Sequence, residues 1–461
     1  MNRNNERHFN QVPQTHVSRT RFKRDQNILT TFDAGKLIPF YVDEVLPGDT
    51  FSVDTAAIIR MTTPKYPVLD DAYIDFYYFY CPNRILWDNF KRFMGEADDA
   101  PWTPTKTYSV PKIVISPGTQ GRPQTSAPYE GSILDYMGVP AKSIAFGNEA
   151  QINALPVRAY VKIWNEFFRD QNVGNPASLD TNDDLVIYTD QDGSAAEDIN
   201  ETLTCAYSGG RCLPVSKFHD YFTSCLPYPQ RGPEVTLPMS GNAVVGAYTG
   251  IDVTTKAKNQ VTMDPAKINF NDANGKWGTL IEESGKIGKA AYLGADLTTV
   301  QATTINQLRQ AFAVQHYYEA LARGGSRYRE QVRALFGVSI SDKTVQIPEY
   351  LGGGRYHVNI NQIVQTSGQQ TANDTPIGET GAMSVTPINE SSFTKSFEEH
   401  GFVIGVMCVR HNHSYQQGLE RFWSRRDRLD YYFPQFANLG EQPVKKKEIY
   451  LTGTSTDDET F

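Results

Sequence analysis

This sequence predicts a mainly β protein, built as one β-sandwich carrying long insertions, and three observations point there. Strand-like runs occupy residues 36–81 and 349–409, with a large block of helical and loop-like sequence between them. A sheet must therefore close between distant parts of the chain, which fits one sandwich with insertions better than several separate domains. Residues 402–409, broken only by Gly405, are apolar on both faces of any strand they form, as suits a strand buried on both sides. Finally, Tyr (25) and Phe (24) are abundant while Met (8) is scarce, a balance that leans toward strands rather than helical bundles.

Bulk properties narrow the function. At 461 residues the chain is long enough for a full core. A formal net charge of -8 gives no global case for a nucleic-acid binder, so any such role must be local. The five cysteines (Cys81, Cys205, Cys212, Cys225, Cys408) contain no C-x-x-C pair and read as reduced thilos of a cytosolic compartment rather than disulfides or zinc ligands. The first residues lack the apolar core of a secretion signal. The eight-residue run at 402–409 falls far short of the roughly 20 residues that a bilayer requires, so no membrane insertion is expected.

The elements follow in order. Residues 1–27 form a basic arm of +4, with Arg3, Arg7, Arg19, Arg21, Lys23 and Arg24 against Glu6 and Asp25. Such an arm either lies on phosphate or is an ordinary solvated tail. A single domain is expected from 28 to 461. Over 36–60 two strands flank Leu46-Pro47-Gly48-Asp49, where proline fixes φ and glycine supplies the turn. A third strand, 72–81, is stopped by Pro82, and Asp75 inside it needs a bonded neighbour because an unpaired buried carboxylate is costly. Asn83 caps a helix carrying Leu86, Phe90, Phe93 and Met94 at helical spacing, closed by Gly95.

Residues 95–130 predict a long surface connection, and a helix over 152–170 places Val157, Tyr160, Val161, Trp164, Phe167 and Phe168 on one stripe, a core-packing pattern. Residues 180–200 are acidic and loop-like, and 212–235 string rings between prolines. Residues 240–300 are too poor in large apolar side chains to hold much core and read as an excursion exposed at a surface. Leu308, Phe312, Gln315, Tyr318 and Leu321 then mark a helix broken at Arg323-Gly324-Gly325. Tyr328, Val332, Leu335 and Phe336 mark a second, closed by Gly337. Residues 349–366 alternate after a glycine turn, 367–391 predict a low-complexity loop, and 448–451 a last strand behind Lys445-Lys446-Lys447 and before an acidic end.

The search for chemistry is mostly negative: there is no G-x-S-x-G elbow, H-E-x-x-H pair or dinucleotide glycine fingerprint. Paired acids such as Asp70-Asp71, Asp98-Asp99 and Asp183-Asp184 read as solvated loops. His411 and His413 would share a face of a continued strand, but two imidazoles are too few for a metal and no third ligand has a matching spacing. His219, amid aromatics, reads as a hydrogen-bonded packing residue. The positive signal is a knot of cations and rings: Arg421, Arg425, Arg426 and Arg428 with Phe422, Trp423, Tyr431, Tyr432 and Phe433. Arginine pairs phosphate bidentately and rings stack on bases at roughly 1–3 kcal/mol each. Arg, Trp and Tyr also dominate protein–protein hot spots. Alternating signs at Glu420-Arg421, Arg426-Asp427-Arg428 and Asp430 favour salt-bridged subunit contacts, with Trp423, Tyr431, Tyr432 and Phe433 in the interface. A rival class, a carbohydrate-binding or carbohydrate-active β-sandwich, is suggested by the abundant acids, Tyr and Trp. It would show two carboxylates clustered in a ring-lined cleft.

The passages KLIPFYVDEVLPGDTF, RMTTPKYPVLDDAYIDFYYFYCPNRILW, GSILDYMG, IWNEFFRDQN, CLPVSKFHDYFTSCLPYPQRGP, EYLGGG, SFTKSFEEHGF, YQQGLERFWSRRDR and FANLGEQ, taken together and in order, carry a specific resemblance. The chain resembles the major capsid proteins of gokushoviruses, the small single-stranded DNA phages of the Microviridae. The resemblance implies an eight-stranded antiparallel jelly roll with long helix- and loop-containing insertions. It implies self-assembly into an icosahedral shell around a circular single-stranded DNA genome, with neither enzymatic activity nor a cofactor. Residues 240–300 match poorly and resemble the variable insertion that forms a protrusion at the three-fold axes; Asn274, Lys276 and Trp277 within it are candidates for host recognition. The basic arm (Arg19, Arg21, Lys23, Arg24) and Arg421, Arg425, Arg426 and Arg428 are candidates to face the genome. Other capsid or scaffolding proteins and a host-cell receptor are further partners such an assembly admits, and the expected location is the virion, assembled in the host bacterial cytoplasm. Relatives continue past the strand near Tyr450 with another Tyr- and Arg-rich segment, whereas this chain stops at Phe461, as a partial or naturally short sequence would.

Overall fold

A computed structural model describes residues 18–62, 68, 70–96, 106–115, 129–140, 150–188, 199–236, 244–251, 258–260, 279–280, 290–296, 304–364, 366, 380–437 and 441–461. Two compact units emerge: one comprises Met1–Asp170, Gly174–Thr223 and Ser341–Ser414, the other Gln171–Val173, Ser224–Ile340 and Tyr415–Phe461. Strands of the first unit are β1 (Ile38–Val45), β2 (Thr50–Ile59), β3 (Ala72–Pro82), β4 (Lys112–Ile115), β5 (Ala150–Asn153) and β6 (Val186–Ile187). The second unit holds β7 (Val244–Ile251), β8 (Lys258–Gln260), β9 (Thr279–Leu280) and β10 (Ala290–Asp296). The chain then returns to the first unit with β11 (Glu349–His357), β12 (Ile360–Val364), β13 (Thr380–Ser384), β14 (Thr386–Ser396) and β15 (Gly401–His411).

In the first unit the predicted closure between distant segments is realised. The apolar run lies in β15, which inserts between β1 and β3 in an antiparallel sheet of order β1-β15-β3-β11, with Val42 opposite Ile404 and Met407 opposite Phe76. Its first eight residues are all buried. Alternation along β3 then sorts its rings between two layers. Tyr78 meets Phe393 of a second sheet, β14-β2, and Tyr80 meets Phe397 just past the end of β14, with ring centroids 5.3 and 4.6 Å apart. Tyr77 and Phe79 face the other way onto Phe167 and Phe168, at 4.7–5.3 Å for the closest ring pairs. Gly405 lies where a Cβ would sit 2.9 Å from Phe40, Tyr41 and Tyr78, so the central strand omits a side chain where three rings converge.

The aromatic stripe predicted over 152–170 packs as expected, though the element starts later. Ile152 belongs to β5, Pro156 stands in the first turn, and the helix runs Leu155–Ile163 before widening into a π-turn at Trp164–Phe168. Tyr160 ties it to the strands by donating to the Leu37 carbonyl at 2.7 Å and accepting from the Leu213 N–H at 2.9 Å.

Four other expectations are corrected. The helix after Pro82 is two separate turns, Asn83–Leu86 and Phe90–Phe93, and the first is capped at Pro82 with no side-chain cap from Asn83. The triple glycine lies inside β11 rather than in a turn before it: at Gly353 (φ +154°) a Cβ would stand 2.0 Å from the Phe76 carbonyl oxygen, so only glycine lets β11 run this close to β3. Of the expected loop over 367–391, residues 367–379 lie outside the described residues and almost all the rest is strand, in β13 and β14. Its end opens β14, which beyond residue 391 pairs with β2 through a hydroxyl ladder (Thr50–Ser396, Ser52–Thr394 and Thr55–Ser392, 2.8–3.0 Å), a polar composition that mimics a loop. Residues 448–451 are not a strand: Lys446–Ile449 is a helical turn, closed by the Lys445 N–H donating to the Glu448 carboxylate at 3.0 Å.

In the second unit, β7 to β10 form an antiparallel sheet of order β8-β7-β10-β9 within the aromatic-poor stretch. The two predicted helices are present at Ile305–Arg323 and Tyr328–Phe336. Thr304 and Gln307 make a reciprocal capping box at the start of the first, and Gly337, at φ +70°, closes the second.

Candidate assembly and nucleic-acid surface

The stretch that follows β15 is in the second unit and folds as three short 3-10 turns, Arg421–Ser424, Arg428–Asp430 and Pro434–Phe436. Asp430 organises the middle one. Its carboxylate accepts the backbone N–H groups of Arg426 at 2.8 Å and Asp427 at 2.9 Å, which holds it below the usual carboxylate range. The Asp430 carboxylate is thus turned onto the backbone. Among the described residues, Arg421, Arg425, Arg426 and Arg428 form no side-chain ion pair.

With the guanidiniums unneutralised, the rings beside them face outward. Trp423 is 68% exposed and Tyr432 73%, and Phe422 and Tyr431 are exposed as well; Phe433 is half-buried. Phe422 and Trp423 stand 4.8 Å apart at 37°, a tilted pair open to further stacking, and the Arg425 guanidinium lies 5.3 Å from the Tyr431 ring centre. The surface thus presents rings and guanidiniums side by side. Both partner types suggested by its composition, phosphate and protein, remain chemically served by it.

A second exposed surface was missed because its pattern looked like a core pattern. Neither helix Ile305–Arg323 nor helix Tyr328–Phe336 buries a single residue. Phe312, Tyr328 and Phe336 are each exposed by about two thirds or more. Amphipathic periodicity reports an apolar face, without saying whether the same chain covers it.

The other predicted site residues belong to the first unit or lie outside the described residues. In the first unit, Arg19 donates to the Gly48 carbonyl and Arg24 pairs with Asp43 at 2.8 Å, whereas Lys23 pairs with its neighbour Asp25 at 3.0 Å and Arg21 is exposed. Arg3 and Arg7 of the arm, and Asn274, Lys276 and Trp277 of the insertion, lie outside the described residues. His411 and His413 stack edge to face with ring centres 4.4 Å apart, and no group of three metal-ligating side chains occurs among the described residues. Cys81, Cys205, Cys212 and Cys408 are buried free thiols.

The cleft that the rival carbohydrate reading calls for has a counterpart beside Tyr80, where Glu349, Glu398 and Glu399 gather. Each carboxylate there is paired: Glu349 with Lys395 at 2.7 Å, Glu398 with Lys343 at 2.5 Å and Glu399 with Arg84 at 2.6 Å. Three internal ion pairs make this a structural cleft.

A β-layered body with a surface of open rings and guanidiniums defines a structural protein that works by contact. The chain belongs to the phage capsid protein (F protein) family, whose model matches residues 10–461. It is 37% identical to capsid protein VP1 of Bdellovibrio phage phiMH2K, an alignment covering all of this chain and 81% of that protein. It is 34% identical to capsid protein VP1 of Chlamydia phage 1 and 33% to that of Spiroplasma virus 4, each over 98% of this chain and 80% of the relative. The resemblance drawn from the sequence passages is borne out. The protein is a capsid component of a virion, and not an enzyme. No helix among the described residues is long and apolar enough to cross a membrane.

Proposed function

We propose that the chain assembles as an icosahedral shell around circular single-stranded DNA, using an eight-stranded jelly roll as its building block. The six strands of sheets β1-β15-β3-β11 and β14-β2, with the hairpin β12-β13, supply the eight. The observation that carries the reading is the pair of helices over 305–336, no residue of which is fully buried within one chain and whose Phe312, Tyr328 and Phe336 stand exposed. Copies that cover such faces mutually gain apolar burial at every repeat, and many weak identical interfaces close a container. Arg421, Arg425, Arg426 and Arg428, with the N-terminal cations, face the genome, while Trp423, Tyr431, Tyr432 and Phe433 meet neighbouring subunits. Scaffolding or other capsid proteins take part during assembly in the host bacterial cytoplasm.

The segment 240–300, with Asn274, Lys276 and Trp277, contacts a host-cell receptor. Deleting it is expected to leave shells intact and abolish adsorption. The shell itself is tested by electron microscopy and sedimentation of the expressed chain. Closed particles of uniform size are expected, and a monodisperse monomer under all conditions overturns the reading.

A further inference from the structure

By sequence the three consecutive lysines are a charge run ahead of an expected strand. In the structure each is paired with an acid from a segment that folds back over it. Lys445 meets Asp458 at 3.2 Å, Lys447 meets the same carboxylate at 2.6 Å, and Lys446 meets Glu459 at 2.6 Å. Backbone bonds hold the two segments in register: Lys446 N–H donates to the Glu459 carbonyl at 3.0 Å and Phe461 N–H to the Val444 carbonyl at 2.8 Å. The reversal between them is made by Asp457, whose carboxylate accepts from Gly453 N–H at 2.7 Å and from both the N–H and the hydroxyl of Thr452.

Two features mark this clasp as displaceable. Its anchor, Asp457, is buried, but the acids that neutralise the lysines are not: Asp458 and Glu459 side chains are 69% and 55% exposed. Lys445–Asp458 and Lys446–Glu459 are exposed on both sides, and such pairs contribute little to stability and weaken with salt, while Lys447 is 13% exposed. Asp458 and Glu459 also present two consecutive carboxylates to three ammonium groups. A phosphodiester chain offers the same ligand with more charge, and its binding releases condensed counterions.

We infer that Asp458 and Glu459 are an internal stand-in for the phosphates of single-stranded DNA, occupying a Lys445–Lys446–Lys447 phosphate site that opens when the nucleic acid displaces them. This rests on the DNA-enclosing reading above and adds a gate to it. An unassembled chain would keep its lysines closed to stray polyanions, and a long single strand held at high local concentration would open them.

The test is the salt dependence of binding of a thymidine oligonucleotide to the full chain, read by fluorescence anisotropy. The exposed-acid variant D458N/E459Q leaves Asp457 and the backbone clasp in place. It should bind more tightly than the parent, with the slope of log K against log salt steeper by up to about 2, from three freed lysines at roughly 0.7 each. Adding K445Q/K446Q/K447Q should erase the gain. If the parent binds and D458N/E459Q neither tightens nor steepens, the clasp is only structural and this inference falls while the DNA reading stands. If neither parent nor variant binds, both fall.

Discussion

Asp75 and Arg355 face each other across the β3–β11 ladder, the wholly buried carboxylate taking the guanidinium Nε–H at 2.6 Å and a second N–H at 3.2 Å. From the opposite side Arg410 of β15 reaches the same carboxylate and donates to the Tyr77 hydroxyl at 3.0 Å. Both guanidiniums lie 4.3 Å from the Phe218 ring centre. One aspartate thus joins three strands drawn from the two ends of the chain.

Removing that aspartate should be among the most damaging single changes. Asp75→Ala leaves Arg410, whose side chain is 14% exposed, without its counter-charge, and breaking a buried pair typically costs about 3–5 kcal/mol. Arg355→Ala should cost clearly less, because that side chain is half exposed and water screens what remains. Urea unfolding of the unassembled chain measures both; equal losses would contradict this account of the network.

Gly353→Ala should fail for a different reason. A Cβ 2.0 Å from the Phe76 carbonyl oxygen cannot be relieved by a side-chain rotation, since the obstacle is backbone of the adjacent strand. Overpacking of this kind costs about 1–3 kcal/mol, and the positive φ adds strain. A lower urea midpoint at unchanged m-value is the expected result.

These two sites show how far the sequence could be read. The need for a partner at Asp75 was legible, because a carboxylate in an apolar strand must be satisfied. The partners, 280 and 335 residues away, were not, since nothing local encodes long-range register. Likewise the strand over 402–409 was legible from continuous hydrophobicity, whereas β14 was hidden by hydroxyl side chains that suit a ladder and a loop equally. At the surface, the ring and arginine knot was visible as composition. Its exposed helices and the lysine clasp needed coordinates, because periodicity and charge runs do not say what covers them.

Alkaline conditions should loosen the first unit. Burial pushes the Cys408 thiol from its ordinary 9.0 up to about 12, and burial with the nearby Asp75 charge pushes the Tyr77 hydroxyl from 10.0 up to about 12. The folded chain keeps these protons where the unfolded chain loses them. Stability is therefore full below pH 9 and declines as pH rises toward 12, each group adding a slope of up to about 1.4 kcal/mol per pH unit. Cys408→Ala should flatten the decline just above pH 9; an unchanged profile would remove the thiol from the explanation.

The exposed helices separate folding from assembly. Phe312→Ser and Phe336→Ser alter side chains 66% and 75% exposed in the single chain, so urea midpoints should move by no more than about 0.5 kcal/mol in free energy. Shell yield by sedimentation should fall steeply, since each lost contact is repeated at every symmetry-related interface. Normal shells from both variants would mean that these faces stay wet in the virion.

The arginine knot admits the sharpest division of roles, because its charges and its rings can be removed separately. Arg425 and Arg426 carry no side-chain ion pair among the described residues, so Arg425→Ala with Arg426→Ala leaves no buried charge behind and should not disturb the fold. If these guanidiniums sit on phosphate, shells form but hold less DNA, and the salt slope for a thymidine oligonucleotide falls by about 1.4, roughly 0.7 for each lost contact. If they serve a subunit interface instead, shells fail to form and the slope is unchanged. Trp423→Ala should give the reverse pattern on the proposed assignment, costing assembly through a lost aromatic anchor of about 2 kcal/mol or more per interface while leaving the salt slope intact. A Trp423→Ala variant that assembles normally but binds DNA less tightly would move the ring from the subunit contact to a base-stacking role.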